Sequence, residues 1–403
     1  MTDDRTADGS QAPVAAPALS GARNRFGRGL GWLPDYPDIR DYDEGRPEIR
    51  VLVDPAGLDI AGSASSSAAT AAKPKSTTPT KPQTNPSSSP PARPQAKTAA
   101  DPVADPPADS PYKPLADAPS KSPADPSALP PAASPAAVAP PVLSERTRAS
   151  DLPASVDLRD YCSPVEDQGM LGSCTAHAGA GVIEYYERRS FGRHLDASRL
   201  FLYKATRNLM KVKGDTGAYL RTTIGAMVLF GVPPEVYWPY TDSESTFDRE
   251  PTAFCYAFAQ NYQTIKYFRH DPAGSTPAAV LKRLKTYLAK GHPAMFGFTV
   301  YNSIEQAETD GRIPFPSKRE SIEGGHAVVA VGYDDKLEIV NKFAGRTDQV
   351  KTRGALLIRN SWGAAWGEHG YGWLPYEYVL RGLAEDFWSV LKKEWVDTAA
   401  FAE

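Results

Sequence analysis

More than half of the chain's 38 prolines fall between Ala61 and Pro141, in a stretch made almost wholly of Ala, Pro, Ser, Thr, Lys and Asp. Tyr112 is the only aromatic residue within it. So little apolar surface cannot offset the entropy of ordering a backbone, and the proline density favours a stiff, extended spacer. The 403 residues therefore divide unevenly. Residues 1–25 read as disordered, 26–60 as a short aromatic and proline-rich segment, and 61–148 as the spacer. Residues 149–403 read as one compact region, long enough at about 250 residues for a sizeable core.

The formal net charge of -3 gives no general pull toward nucleic acid, and no lysine or arginine run changes this. No stretch of 18 apolar residues suggests a membrane span. The first twenty-five residues lack the apolar core of a secretory signal. Three cysteines, Cys162, Cys174 and Cys255, are too few for a disulfide framework and point to a reducing compartment. The expected location is the cytoplasm of a bacterial cell, or outside it by a route that needs no N-terminal signal. The segment 26–60 holds Phe26, Trp32, Leu33, Tyr36 and Tyr42 among prolines, glycines and aspartates. It is too short to fold alone, and its composition suits docking on the main domain, in its cleft, or on a partner.

Helical signals come first in the compact region. Ser173 to about Arg189 has a candidate N-cap at Ser173, one face bearing Val182, Ile183 and Tyr186, and a stop at Gly192. Ser198 to Asn208 and Tyr219 to Phe230 read as further helices, and Thr276-Pro277 opens another that Gly291 closes. Short apolar or aromatic runs follow at Ala294–Tyr301, Ala327–Tyr333, Ala355–Asn360 and Gly370–Leu374, which suit strands. Helices first and strands second predict an α+β fold with two packed halves.

Cys174 carries the first chemical signal. A thiol at a helix N-terminus meets unpaired N–H groups and the positive end of the helix dipole, which favour the nucleophilic thiolate. An inert buried cysteine fits that residue alone equally well. Gln168, six positions earlier across a glycine-containing turn, can fold its amide back beside the sulfur and donate to an oxyanion together with the Cys174 N–H. Alone it reads as a turn residue. His326 follows Gly324-Gly325 and opens a strand that would hold its ring rigidly, which suits a base. His177 competes, but lies three residues along the same helix and fits a packing or capping role. Asn360, ending an apolar run in Asn360-Ser361-Trp362-Gly363, can accept from the imidazole, with Trp362 shielding that bond from water.

The order Gln168, Cys174, His326, Asn360 resembles that of the papain-like cysteine peptidases. Leu152-Pro153-Ala154-Ser155-Val156-Asp157 resembles the start of a mature domain of that family. Asn360-Ser361-Trp362-Gly363, with Trp366-Gly367-Glu368 and Gly370-Tyr371, resembles its C-terminal signature. The resemblance implies a papain-like two-lobe fold, a helical left half and an antiparallel β-barrel-like right half, with the active-site cleft between them. It implies catalytic roles for Cys174, His326, Asn360 and Gln168, and substrate contacts at Gly217, Ala327 and Trp362. Neither a metal nor an organic cofactor is implied.

Departures from the family pattern carry information too. Leu171 stands where many secreted members have a disulfide cysteine, and Leu171-Gly172-Ser173-Cys174-Thr175 is similar to the bacterial variant. Asn360 is far enough beyond His326 to require an extended hairpin between Asp335 and Gly354. Nothing before Leu152 resembles the family's helical propeptide, so residues 26–42 are a candidate for covering the cleft. The expected function is hydrolysis of peptide bonds in a protein or peptide substrate through a thioester. Acyl transfer or deamidation by the same residues, and a catalytically silent binding module, are the alternatives.

Overall fold

The computed structural model describes residues 23–38, 41–46, 49, 152–262, 266–343 and 350–391. The spacer expected at 61–148 lies outside the described residues, as does the 344–349 part of the expected hairpin. The described helices are α1 (Cys174–Phe191), α2 (Arg199–Met210), α3 (Leu220–Leu229), α4 (Ala253–Ala259), α5 (Pro277–Ala289) and α6 (Tyr376–Leu380). The strands are β1 (Trp32–Leu33), β2 (Ser155–Asp157), β3 (Ala218–Tyr219), β4 (Lys266–Arg269), β5 (Ala294–Tyr301), β6 (Ile322–Val340), β7 (Lys351–Arg359), β8 (Tyr371–Pro375) and β9 (Ala384–Leu391). Helices dominate the first part and an antiparallel sheet the second, which is the α+β arrangement anticipated from the sequence.

Local chemistry sets most helix ends. Ser198 caps α2 by accepting from Phe201 N at 3.2 Å. Thr276 caps α5 through Ala279 N at 3.3 Å, with Pro277 in the first turn. Gly192 ends α1 in the left-handed conformation, φ 69°. The start of α1 departs from the expectation. Ser173 occupies the N-cap position, but its hydroxyl makes no cap bond and instead meets Tyr240 Oη at 2.7 Å. The helix therefore opens at Cys174 without a side-chain cap, and the Ala176 and His177 N–H groups donate to Ser173 O at 3.0 and 3.1 Å.

Helix α1 is buried at every residue from Cys174 to Tyr186, so it has no polar face in that stretch. Its one buried acid, Glu184, ties it to α2. The carboxylate accepts from Arg199 Nη2 at 3.0 Å, Ala197 N at 3.0 Å and Ser163 Oγ at 2.5 Å.

The sheet runs β4-β9-β5-β6-β7-β8, with β2 also paired to β6. Strand β6 is central, because β5 sets Phe298 opposite His326 and β7 sets Arg359 opposite Val329. The extension of β6 and β7 past Asp334 and Ala355 forms the long hairpin required by the sequence. Strands β4 and β9 and helices α4 and α6 escaped the sequence reading. In β9 all residues except Glu385 are buried, so the alternation that marks a half-exposed strand is missing.

Residues 23–38 and 41–46, together with Ile49, pack against the compact region as a strap. Strand β1 pairs in parallel with β3, Trp32 opposite Ala218 and Leu33 opposite Tyr219. Leu30, Trp32 and Ile49 belong to the main hydrophobic core. The aromatic segment at 26–60 thus docks on the chain's own compact region through its described residues.

Removing one partner of a buried ion pair leaves a charge without compensation. Glu184→Ala should lower the unfolding free energy by about 3 kcal/mol, since Asp196 and Glu166 still reach Arg199. Urea denaturation followed by tryptophan fluorescence measures this, and a loss well under 1 kcal/mol, roughly that of an exposed pair, would show that this bond does not tie α1 to α2.

Candidate active site

The N-terminus of α1 brings Cys174 beside the strand that carries His326. The backbone amides of Ala327, Gly31 and Thr175 face the Cys174 sulfur and favour its thiolate, against the larger opposing effect of burial. Ala327 follows His326 on β6, so the residue whose amide faces the sulfur is the neighbour of the histidine in the chain. Asn360, at the end of β7, accepts from His326 Nε2 at 2.8 Å. Asn360 is fixed in turn by the Ser361 N–H, which donates to the same Oδ1 at 2.8 Å. The Trp362 ring stacks on His326, 4.6 Å between centroids and 25° between planes, and both side chains are buried. His326 Nδ1 has no hydrogen-bond partner among the described residues.

Gln168 is fully buried and held from three sides. Its Oε1 accepts from Ser361 Oγ at 2.5 Å, while its Nε2 donates to Leu171 O at 2.7 Å and Gly29 O at 3.0 Å. The amide therefore folds back toward the start of α1, and a strap carbonyl takes its outward hydrogen. Ser361, whose hydroxyl holds Gln168, was not singled out from the sequence.

The strap crosses this site on alternate glycines. Side chains two apart on an extended chain share a face, and at Gly29 and Gly31 that face lies on backbone. A Cβ at Gly29 would stand 2.0 Å from Leu171 O, and one at Gly31 would stand 1.9 Å from Gly172 O. Ala218 N donates to Gly31 O at 2.7 Å. Gly217, proposed from the sequence as a backbone partner, gives its own N–H to Tyr203 Oη at 3.1 Å. Its role against the strap is clearance, since a Cβ there would stand 2.3 Å from Gly31 O. Arg28 lies over Trp362 at 5.3 Å and bonds Glu308 at 2.7 Å.

Covering the site changes its electrostatics. Burial pushes the Cys174 thiol up to about 11, against the opposing pull of the Ala327, Gly31 and Thr175 amides. Burial pushes His326 down to about 4; its bond to Asn360 opposes this, and the Arg28 cation adds to it. Neutral thiol and neutral imidazole are thus favoured under the strap. His177 is held neutral by burial and by the charges of Arg199 and Arg359, with Nδ1 3.1 Å from Ser173 O and its ring edge-on to Tyr240. Among the described residues, no cluster of His, Cys, Asp or Glu could hold a metal ion.

The match to a family model defines the class as a cysteine-type peptidase, a hydrolase. The chain belongs to the papain family: the model described as papain family cysteine protease matches residues 152–385. An uncharacterized peptidase C1-like protein of Acanthamoeba polyphaga mimivirus is 33% identical over 246 residues, 60% of this chain and 73% of that protein. Cathepsin K of Gallus gallus is 28% identical over 227 residues, 55% of this chain and 59% of the relative's length. Among solved structures, xylellain, a cysteine protease from Xylella fastidiosa, is 37% identical with a TM-score of 0.49, covering 60% of this chain and 88% of that one. No described helix is long and apolar enough to cross a membrane.

The electrostatics of the covered site predict a pH dependence. A thiol whose pKa is raised stays protonated until the pH approaches the raised value, so near neutral pH it is a poor nucleophile. Alkylation of Cys174 by iodoacetamide, read by intact mass, should be at least about tenfold slower in the full chain than in Gly31→Val, whose strap cannot seat. The full-chain rate should keep rising well above the pH where a free thiol levels off. Equal rates at neutral pH would show that the strap does not govern the thiol.

Proposed function

We propose that the chain hydrolyses peptide bonds with Cys174 as nucleophile, His326 as base and acid, Asn360 as the residue that orients the imidazole, and Gln168 as an oxyanion donor. The observation that supports this most is the His326–Asn360 bond at 2.8 Å under Trp362. It occupies Nε2 and leaves Nδ1 as the one ring nitrogen able to take a proton. In the open cleft Nδ1 accepts the Cys174 proton, and the sulfur attacks the substrate carbonyl carbon. The oxyanion receives N–H groups from Gln168 Nε2 and the Cys174 backbone. His326 then returns the proton from Nδ1 to the departing amine, leaving a thioester. Water, deprotonated by the same nitrogen, releases the acid product and restores the thiol.

The strap supports a closed resting form of this enzyme. Gly29 O occupies the hydrogen bond that Gln168 would give to an oxyanion, and Gly31 N the sulfur's outward face. The segment 61–148 then acts as the tether on which the strap leaves without being lost. The described cysteines are all free and buried, which suits a reducing compartment such as a bacterial cytoplasm. Retained Gln168, Cys174, His326 and Asn360 weigh against a silent binding module.

Cys174→Ala should abolish the release of new peptide termini from an unstructured protein such as casein. Gln168→Ala should lower kcat by about 10²–10³ while leaving thiol labelling by an epoxide inactivator intact. Termini counted by mass spectrometry, with ammonia assayed in parallel, decide the reaction class. Ammonia or crosslinks without new termini would establish deamidation or acyl transfer instead.

A further inference from the structure

Trp32 is the strap residue next to the one at the nucleophile, and its indole enters a slot in the sheet. A Cβ at Gly297 on β5 would stand 1.9 Å from Trp32 Cε2, and one at Gly325 on β6 would stand 2.5 Å from Trp32 O and 2.8 Å from Cε3. Any larger residue at either position would close the slot. At its inner end, Trp32 Nε1 donates to Asp386 Oδ2 at 3.3 Å.

The acceptor is supported from all sides. Strand β9 bulges where it passes β5, with the register shifting between Met295 and Gly297. Asp386 sits there at φ 65°, a left-handed conformation that a non-glycine residue seldom holds. The bulge turns its carboxylate toward the slot. Both bulge amides are satisfied by Asp271, through Asp386 N at 2.8 Å and Phe387 N at 3.0 Å. Asp386 Oδ1 accepts from Trp388 Nε1 at 2.7 Å and lies 3.1 Å from Arg269 Nη1. Asp386 is wholly buried, and its left-handed backbone is held at an energetic cost.

We propose that this slot is the specificity pocket of the open cleft and that it selects a tryptophan side chain of the peptide substrate, with Asp386 accepting the indole N–H and Gly297 and Gly325 giving the ring room. This rests on the peptidase reading above. An extended peptide that passes over Cys174 and pairs with the edge at Ala218–Tyr219 carries a neighbouring side chain into the slot, as the strap does. A phenylalanine would fit but leave Asp386 Oδ2 without its donor, which disfavours it. A lysine or arginine would meet the Arg269 guanidinium, which already pairs with the same carboxylate. Burial also pushes Asp386 up to about 7, against the opposing pull of Arg269, so the pocket suits a neutral donor better than a cation.

The test uses the full chain carrying Gly29→Val and Gly31→Val, which cannot seat the strap. Quenched fluorogenic peptides carry Trp, Phe, Leu or Arg at each position within three residues of the scissile bond. At one position Trp should exceed Phe in kcat/KM by about tenfold. Adding Gly297→Ala should reduce the Trp-to-Leu ratio at that position at least about tenfold. Cleavage with equal Trp and Phe rates, or a ratio unmoved by Gly297→Ala, overturns the pocket while leaving the peptidase intact. A second measurement needs no chemistry. A synthetic peptide of residues 23–46 and its Trp32→Phe form are titrated against the same open protein bearing Cys174→Ala. About tenfold weaker binding of the Phe form supports the pocket, and equal binding overturns it, whether or not any peptide is cleaved.

Discussion

Helix α1 has to approach two layers at once, and the rest of the structure depends on how closely it does so. On one side a Cβ at Gly179 would stand 3.0 Å from Met227 Sδ and 3.2 Å from Leu202 Cδ2, so α2 and α3 are already in contact with the helix backbone there. On the other, a Cβ at Gly181 would stand 3.3 Å from Arg359 Nε on β7. Glycine within a helix is disfavoured by about 1 kcal/mol relative to alanine, so these two positions trade helix propensity for proximity. The same side chain of Arg359 reaches Ser163 Oγ at 3.0 Å and Pro164 O at 2.6 Å. It thereby pins the segment before the helix to the strand that ends in Asn360. The placement of Cys174 against His326 follows from that packing.

The helical part was legible because its signals are local. Thr276-Pro277, Ser198 and Gly192 set helix ends by chemistry contained within a few residues. Ser173 looked equally good as a cap, yet Tyr240, distant in sequence, takes its hydroxyl. Strands β5 to β8 were visible as apolar or aromatic runs, whereas β9, inside the sheet between β4 and β5, opens with Ala384-Glu385-Asp386. Its acidic residue is buried by Arg269, Trp388 and Asp271, partners that no local pattern can supply. Cys174, Gln168, His326 and Asn360 were readable as a set because their order carries information that each lacks alone.

The strap was half legible. Its aromatic residues mark residues 26–60 as sticky, which suits docking on the main domain, in its cleft or on a partner. The path itself depends on clearances at Gly29, Gly31, Gly217, Gly297 and Gly325, each measured against a segment remote in sequence. Glycine spacing alone cannot say which backbone a chain will approach. The strap's ion pairs extend the same contact, since Arg221 meets Asp35 at 2.9 Å and Asp41 at 2.7 Å, both contributed by the strap. Its grip is therefore distributed between close backbone packing over the nucleophile and charge pairing farther along.

These two kinds of contact converge on Arg269. Its guanidinium is buried and lies within ion-pair distance of Asp386, Asp271 and, at 3.7 Å, the strap's Asp41. One cation thus serves a carboxylate of the sheet, one of the turn after β4 and one of the strap. Departure of the strap removes Asp41 and the Trp32 N–H together, and leaves Asp386 with Trp388 and Arg269. A bound indole would restore the lost donor without bringing another carboxylate. Strap and substrate then compete for one acceptor. Any change that tightens the acceptor's hold on an indole strengthens closure and selectivity together, so this network cannot tune one without the other.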